Sequence, residues 1–299
     1  MELTWINKLR IAVVAAAGIL VMGLLAWPLA APADPLAPVR ASNISPFGTI
    51  VLLLLAFGLG FVGYFLAWPH GREIGILAVP FALAVWAGRS GPMRVLTQAY
   101  RQPSEREAVA FSLRFEPVYW LLLVAAGFAG VLFAQYLRAS SVKPAAEQPA
   151  RSLTNVNTYL TGLLALVATV LISYFFVGVF VEDVATSRNI PPTQPPVGQI
   201  LFGVMAAFVV AAFLLKKFVD LSYLCPAAAS VFVIAFAQAL SAPAETVRQF
   251  AETRPATFFP HSALAILPVQ FVALGTLGSI LGYWLAVQYD WWRKHESGI

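Results

Sequence analysis

Eight long apolar runs dominate this sequence of 299 residues and constrain its fold more than any other feature. A helix needs about 20 apolar residues to cross a bilayer, because the hydrocarbon core is about 30 Å thick and each residue adds about 1.5 Å. Within lipid the backbone must satisfy its own hydrogen bonds, which favours helices. The sequence therefore predicts an all-α, polytopic integral membrane protein with about eight transmembrane helices. The runs are Ile11–Ala31, Phe47–Trp68, Ile74–Gly88, Val118–Leu137, Tyr159–Val181, Ile200–Leu215, Phe218–Ala242 and Ala263–Val287.

Too few charged residues are present to cover a water-exposed surface. Charged residues make up 11% of the chain and hydrophobic residues 60%, whereas soluble domains contain about 25% charged residues. The lipid bilayer is therefore the expected partner. The net charge is +5, but no segment is both basic and long, so nucleic acid is not an expected partner. The single cysteine, Cys225, excludes an internal disulfide.

Ile74–Gly88 is the weakest of the predicted spans. It has 15 residues between Glu73 and Arg89, and Pro80 lies in its middle. It crosses the membrane if the Arg89 side chain reaches back to the interface. Otherwise the segment is re-entrant and the number of spans falls to seven.

The first run has a second interpretation. Lys8 and Arg10 precede it, and Ala31-Pro32-Ala33 stands before Asp34, as in a signal peptide with its cleavage site. Its 21 residues exceed the apolar region of an ordinary signal peptide. We therefore expect a retained helix, with a cleaved signal peptide as the alternative.

The chain resembles itself at a spacing of 150 residues, at which Pro46 aligns with Pro196 and Gly48 with Gly198. These four residues form a repeat-start motif: the proline suits the first helical turn, Ser45 can cap it, and the glycine keeps it slim. We predict a first four-helix membrane repeat over residues 1–138, a linker over 139–152 and a second repeat over 153–299. An even number of spans in each repeat makes the two units parallel.

Each half also carries an amphipathic stretch after its third run, at residues 91–102 and 242–253. In the first stretch Met93, Leu96 and Tyr100 recur on one helical face. The apolar face of the second stretch consists of Val247, Phe250 and Ala251. We predict helices in the headgroup plane, with solvated loops as the alternative. A capping box starting at Ser104 predicts one more short helix before the fourth run.

The basic residues are divided almost equally between the two sides of the membrane, so their number does not define the orientation. With eight spans, ten of the 19 lysines and arginines fall on the N-terminal side and nine on the other. The positive-inside rule needs a clear excess. We place the N-terminal side in the cytoplasm, and the short loops and the alanine- and proline-rich composition agree with a bacterial cytoplasmic (inner) membrane.

No catalytic, cofactor-binding or metal-binding residues are predicted. No ionisable residue lies near the centre of a run, where it would be the best indicator of function. Asp220 comes closest, and we expect it to pair with a lysine at the interface. The neutral polar residues Gln238 and Gln270 either join helices by hydrogen bonds or line a path for an uncharged solute.

Three classes of function follow from these features. The first is a non-catalytic structural, assembly or accessory subunit, with membrane-protein partners or as a homo-oligomer. The second is a transporter or channel for an uncharged or hydrophobic solute, with Pro80, Pro226, Gln238 and Gln270 as helix-break and path positions. The third is an interfacial lipid-modifying enzyme, although solvated helix faces explain its residues better; these are Glu105, Arg106, Glu107, Arg114 and Glu116, or His261 with Glu252 and Arg254. We favour the first class.

Overall fold

A computed structural model describes residues 4–100, 102–141, 156–181, 194–241, 243, 245–246, 249 and 261–296. All regular structure in these residues is helical. The α-helices are α1 (Trp5–Gly18), α2 (Trp27–Ala30), α3 (Pro46–Leu66), α4 (Gly71–Ile74), α5 (Ala78–Arg89), α6 (Met93–Ala99), α7 (Pro103–Leu113), α8 (Glu116–Ser141), α9 (Val156–Val181), α10 (Val197–Val219), α11 (Leu224–Ser241) and α12 (Pro268–Glu296).

Eight helical segments of the described chain are long and apolar enough to cross a membrane, which confirms the predicted all-helical, multi-pass architecture. The short run around Pro80 belongs to a segment of 19 residues, Gly71–Arg89. This segment joins α4 to α5 through the 3-10 turn Gly75–Leu77 and so reaches spanning length. The others are Trp5–Leu25, Pro46–Leu66, Pro103–Ser140, Tyr159–Val181, Val197–Val219, Leu224–Ser241 and Pro268–His295.

Successive spans cross in opposite directions, which defines two faces of the bundle. Face I holds the start of α1, the link between α3 and α4, the end of α8, the link between α10 and α11, and the end of α12. Face II holds the loop between α2 and α3, the helices α6 and α7, the start of α8, the end of α9, the start of α10, the end of α11 with the residues that follow it, and the start of α12.

The structure corrects the predicted boundary between the sixth and seventh runs. α10 continues past Lys216 to Val219, because lysine is a good helix former whose stem can lie along apolar surface. The helix ends at Val219, and the next residue, Asp220, has the left-handed conformation (φ 55°). α11 therefore begins at Leu224, six residues after the predicted Phe218.

The first and last spans also differ from the predicted runs. α1 begins at Trp5 instead of Ile11. α12 begins at Pro268, which suits a first helical position, and continues to Glu296 beyond the predicted limits Ala263–Val287. In both spans the helix extends past the apolar run into the interface, where tryptophans and basic side chains are tolerated.

The first span changes to π-helical geometry over Ile19–Leu25, where the Ala26 N–H donates to the Val21 carbonyl five residues earlier (3.0 Å). In this register the Gly23 carbonyl would accept from residue 28, and Pro28 has no N–H. The Trp86 indole Nε1–H of α5 donates to that carbonyl instead, at 3.0 Å. The first span is thereby tied to the third.

Glycines allow the second and fourth spans of each half to pack closely. A Cβ added to Gly60 of α3 would overlap the Gly127 carbonyl of α8, and a Cβ at Gly130 of α8 would overlap the Phe57 carbonyl of α3. In the second half, a Cβ at Gly278 of α12 would meet the carbonyl of Met205 in α10. Close approach of backbones through small residues is a common way in which helices associate within membranes.

The third and eighth spans form the centre of the bundle. In the most apolar windows of these spans, Gly71–Arg89 and Pro268–His295, 67% and 78% of the residues are buried. The other spans bury 28% to 50%. α5 packs against α12 directly, so the contact between the two halves runs through the most buried part of the protein.

Candidate functional site

The largest group of bonded polar side chains lies at face II, and we call it the polar layer. It comprises Arg40, Ser112, Arg114, Glu116, Gln194, Gln238 and Gln270. These residues come from both halves of the chain. The layer is therefore the natural place to look for a functional site.

Arg40 and Glu116 form a buried ion pair within the layer. The Arg40 Nε–H donates to Glu116 Oε1 at 2.8 Å, and a second guanidinium N–H donates to the Ser112 hydroxyl at 2.7 Å. Arg40 is 8% exposed and Glu116 is 6% exposed. The pair joins the loop before α3 to the junction of α7 and α8. Glu116 was expected on a solvated helix face, and that expectation is wrong because Arg40 gives the carboxylate a buried partner.

Sequence reasoning missed Arg40 altogether. Its loop contains five prolines between Pro28 and Pro46 and was interpreted as a connection. The other member of the pair did give an indication in the sequence, because Glu116 stands just before the long apolar run that becomes α8. A carboxylate placed there needs a cation.

Arg114 and Gln238 link the two halves. The Arg114 Nε–H donates to Gln238 Oε1 at 2.8 Å, across 124 residues of sequence. Gln238 is 4% exposed and lies near the end of α11. The contact satisfies a buried amide oxygen that would otherwise be costly within the bundle.

The side-chain amide of Gln270 forms hydrogen bonds to backbone groups through both its oxygen and its nitrogen. Its Oε1 accepts from the Leu267 N–H at 2.9 Å, just before α12 begins, and its Nε2 donates to the Ala87 carbonyl of α5 at 3.2 Å. The side chain is 2% exposed. Gln270 thus caps one central helix and binds the last turn of the other.

Gln194 makes a third connection between the halves. Its Oε1 accepts from the Arg94 backbone N–H in α6 at 2.6 Å, and its Nε2 donates to the Ala265 carbonyl at 3.5 Å. Ala265 belongs to the 3-10 turn Ser262–Ala265. The turn before α12 is thereby held against the first half.

The candidate path residues do not converge on one place. Gln238 and Gln270 bond to different partners, and no hydrogen bond joins their side chains among the described contacts. Pro80 is buried and follows the 3-10 turn of the third span, while Pro226 is buried in the first turn of α11. The assignment of these four residues to a solute path stays a prediction.

The repeat-start motif has different surroundings in the two halves. Pro46 is the first residue of α3, and the Ser45 hydroxyl accepts from the Gly48 N–H at 3.0 Å, as expected of a cap. A Cβ at Gly48 would crowd the residues before the helix, whereas a Cβ at Gly198 would meet open space. Pro196 stands one position before α10 and provides no side-chain cap.

The described residues that were considered for a lipid-modifying enzyme make separate structural contacts. Arg106 was expected on a solvated face but is 3% exposed, and its Nε–H donates to the Tyr100 carbonyl at 2.8 Å. Glu105 belongs to a capping box whose first residue is Gln102, not the predicted Ser104. Glu252 and Arg254 lie outside the described residues.

His261 is held by its neighbours rather than placed in a catalytic group. Its Nδ1 accepts from the Ala263 N–H at 3.1 Å, and its ring stacks on Tyr174 with ring centroids 4.3 Å apart. Among the residues that the structure describes, no group of three or more His, Cys, Asp or Glu side chains could hold a metal ion.

Most hydroxyls within the spans bond to their own helix. Thr169, Ser230 and Ser279 donate to carbonyls three or four residues earlier. The Ser173 and Thr276 hydroxyls differ, because both are fully buried and neither has a hydrogen-bond partner in the described part of the chain.

The amphipathic stretches are described in part. α6 buries Met93 and Leu96, two of the three residues of its predicted apolar face. The corresponding residues of the second half, Val247, Phe250 and Ala251, lie outside the described residues, as does the linker after Ser141. Placement of these helices in the headgroup plane stays a prediction.

Comparisons with protein-family models, with curated proteins and with solved structures find no match to this chain. The fold itself defines the class of protein: a multi-pass integral membrane protein with eight candidate membrane spans. Its polar layer ties loops, short helices and spans together at one face.

Proposed function

We propose that the protein is a non-catalytic structural or accessory subunit of a complex in a bacterial cytoplasmic membrane. The observation that carries this proposal is the bonding of Gln270, whose amide joins the Leu267 N–H just before α12 to the Ala87 carbonyl of α5. An amide that lined a solute path would present at least one end to that path. Here a buried amide joins the two halves through its bond to the Ala87 carbonyl.

The rest of the polar layer supports the same function. Arg40 pairs with Oε1 of Glu116, and Arg114 donates to Oε1 of Gln238. Buried polar contacts of this kind cost desolvation, and we infer that in this protein they fix one arrangement of the helices. A rigid bundle with apolar outer faces is suited to pack beside other membrane proteins.

We further propose that the bundle arose by duplication of a four-span unit. In each half the second span packs on the fourth through glycines, at Gly60 and Gly127 in one half and at Gly278 in the other. The shared order of proline, glycine and apolar features in the sequence supports the same origin. Duplicated units related by an axis along the membrane normal are known among membrane proteins.

Extraction of the full chain in a mild detergent tests the proposed subunit role. Native mass spectrometry should detect the chain with stoichiometric protein partners or as a homo-oligomer. Leu164→Trp on α9 and Leu54→Trp on α3 form a matched pair, because both leucines are exposed apolar residues (61% and 67%) on outer faces. Loss of the partner from one variant alone would locate the contact. A single 32.3 kDa species from the native membrane would contradict the proposal.

A second candidate function, transport of an uncharged solute, is favoured by one observation. The buried hydroxyls of Ser173 and Thr276 have no partner among the described residues, and such groups often mark a site for water or ligand. In a Cys225→Ala background, Ser173→Cys and Thr276→Cys should react with a small aqueous thiol reagent if a wet path exists. Absence of reaction at both positions, with the Asp34→Cys control labelled, would contradict transport.

A further inference from the structure

The two faces of the bundle differ in how their basic residues are used. On face II, Arg40 and Arg106 are buried and Arg114 is half-buried against Gln238. These three cations are bonded to groups within the protein. Among the described residues, counts of lysine and arginine therefore overstate the positive charge that face II exposes.

The exposed charge is clearly asymmetric within the described residues. Face I exposes five basic and two acidic side chains, and face II exposes two basic and three acidic ones. The exposed residues of face I are Lys8, Arg72, Lys217, Arg293 and Lys294, with Glu73 and Asp220. Those of face II are Arg89 and Arg94, with Asp34, Glu105 and Glu245.

Aromatic side chains contact cations of face I, as Trp27 contacts Arg89 on face II (4.4 Å). The Lys217 ammonium lies 4.4 Å from the Tyr289 ring centroid, and the Arg138 guanidinium lies 4.2 Å from that of Trp68. Tryptophan and tyrosine concentrate at headgroup depth. Lys217 is exposed, so its ammonium lies beside an aromatic ring of the kind that concentrates at headgroup depth.

We propose that face I binds the phosphate groups of anionic phospholipids, chiefly through Arg72, Lys217 and Arg138, and that it lies against the anionic cytoplasmic leaflet. Basic side chains near such a leaflet are attracted by its negative surface potential. Among the residues that the structure describes, the excess of exposed cations on face I agrees with the positive-inside rule.

Lipid binding by the full chain tests this assignment. The chain is purified in a mild non-ionic detergent and titrated with dioleoylphosphatidylglycerol or dioleoylphosphatidylcholine, with bound lipid counted by native mass spectrometry. Arg72→Gln with Lys217→Gln should weaken phosphatidylglycerol binding by about fivefold for each charge removed. The matched control is Arg89→Gln with Arg94→Gln on face II. This control also removes two positive charges but should change phosphatidylglycerol binding by less than about twofold. Equal losses in both pairs, or no loss in the first, would overturn the proposal.

Orientation is tested separately in intact cells whose outer membrane has been permeabilised. In a Cys225→Ala background, a membrane-impermeant maleimide should label Asp34→Cys on face II and leave Glu73→Cys on face I unlabelled. Both positions are exposed side chains in loops or at a helix start, so the folded bundle should tolerate them. Labelling of Glu73→Cys alone would overturn the assignment of face I to the cytoplasmic leaflet.

Discussion

The Trp86 indole donates to the Gly23 carbonyl at 3.0 Å, deep inside the first half of the bundle. The acceptor is free because the π-helical register directs it toward Pro28, which has no N–H. Trp86 is fully buried and also packs edge-on against Trp27 and Trp120. The carbonyl that the π-helical segment of the first span leaves without a backbone donor therefore accepts a hydrogen bond from Trp86 of the third span.

Trp86→Phe should destabilise the protein by about 1–3 kcal/mol beyond its effect on packing, because the Gly23 carbonyl loses its partner. Trp120→Phe is the matched control, since Trp120 is equally buried but its Nε1–H has no partner among the described residues. Reversible unfolding in mixed micelles measures the difference. The extra cost of Trp86→Phe should shrink in a Pro28→Ala background, which restores a backbone N–H. An equal cost in both tryptophan variants would refute the role of this bond.

Removal of one partner from the Arg40–Glu116 pair should be strongly destabilising. Arg40→Met leaves the Glu116 carboxylate buried without its cation, at a cost of about 3–5 kcal/mol in the free energy of unfolding. The double variant Arg40→Met with Glu116→Leu should recover most of that loss, since an apolar pair needs no desolvation. A double variant as unstable as the single one would show that the ion pair itself is required.

Gly60 should not tolerate even one added methyl group. The Cβ of Gly60→Ala would overlap the Gly127 carbonyl, so α3 and α8 must separate, at a cost of several kcal/mol. Gly58→Ala on the same helix faces open space and should be neutral or stabilising by up to about 1 kcal/mol. Thermal denaturation of the two variants in one detergent makes the comparison. Similar stabilities would contradict the described packing of α3 on α8.

Gln270→Leu should loosen the contact between the two halves. The change leaves the Leu267 N–H and the Ala87 carbonyl without their partner, which costs about 1–3 kcal/mol for each group. Hydrogen exchange should accelerate in the last turn of α5 and the first turn of α12. Faster exchange in α9 alone would argue against this assignment.

The sequence was sufficient for features that depend on local chemistry. Apolar run length predicts the spans, Ser45 before Pro46 predicts the cap on Gly48, and the spacing of Lys216 and Asp220 predicts their ion pair. In each case the residues lie within one helix or its first turn, so the physical cause is contained in a few neighbouring positions.

Features that depend on distant partners could not be predicted in the same way. Arg40 is 76 residues from Glu116, and Trp86 is 63 residues from Gly23. A buried arginine looks the same in the sequence as a solvated one until its partner is known. The boundary error near Lys216 has a different origin, because charge was taken to end a helix that in fact carries its lysines into the interface.

The central position of the third and eighth spans has a consequence for biosynthesis. These two spans have the lowest mean hydropathy of the eight, 1.3 and 1.4, against 1.8 to 2.5 for the others. A segment released singly from the translocation channel partitions into lipid according to its own hydropathy. The third and eighth spans are surrounded mainly by neighbouring helices instead of lipid. Their insertion should therefore depend on other spans that are already in the membrane. The eighth span would then be integrated last, as the element that closes the assembled bundle.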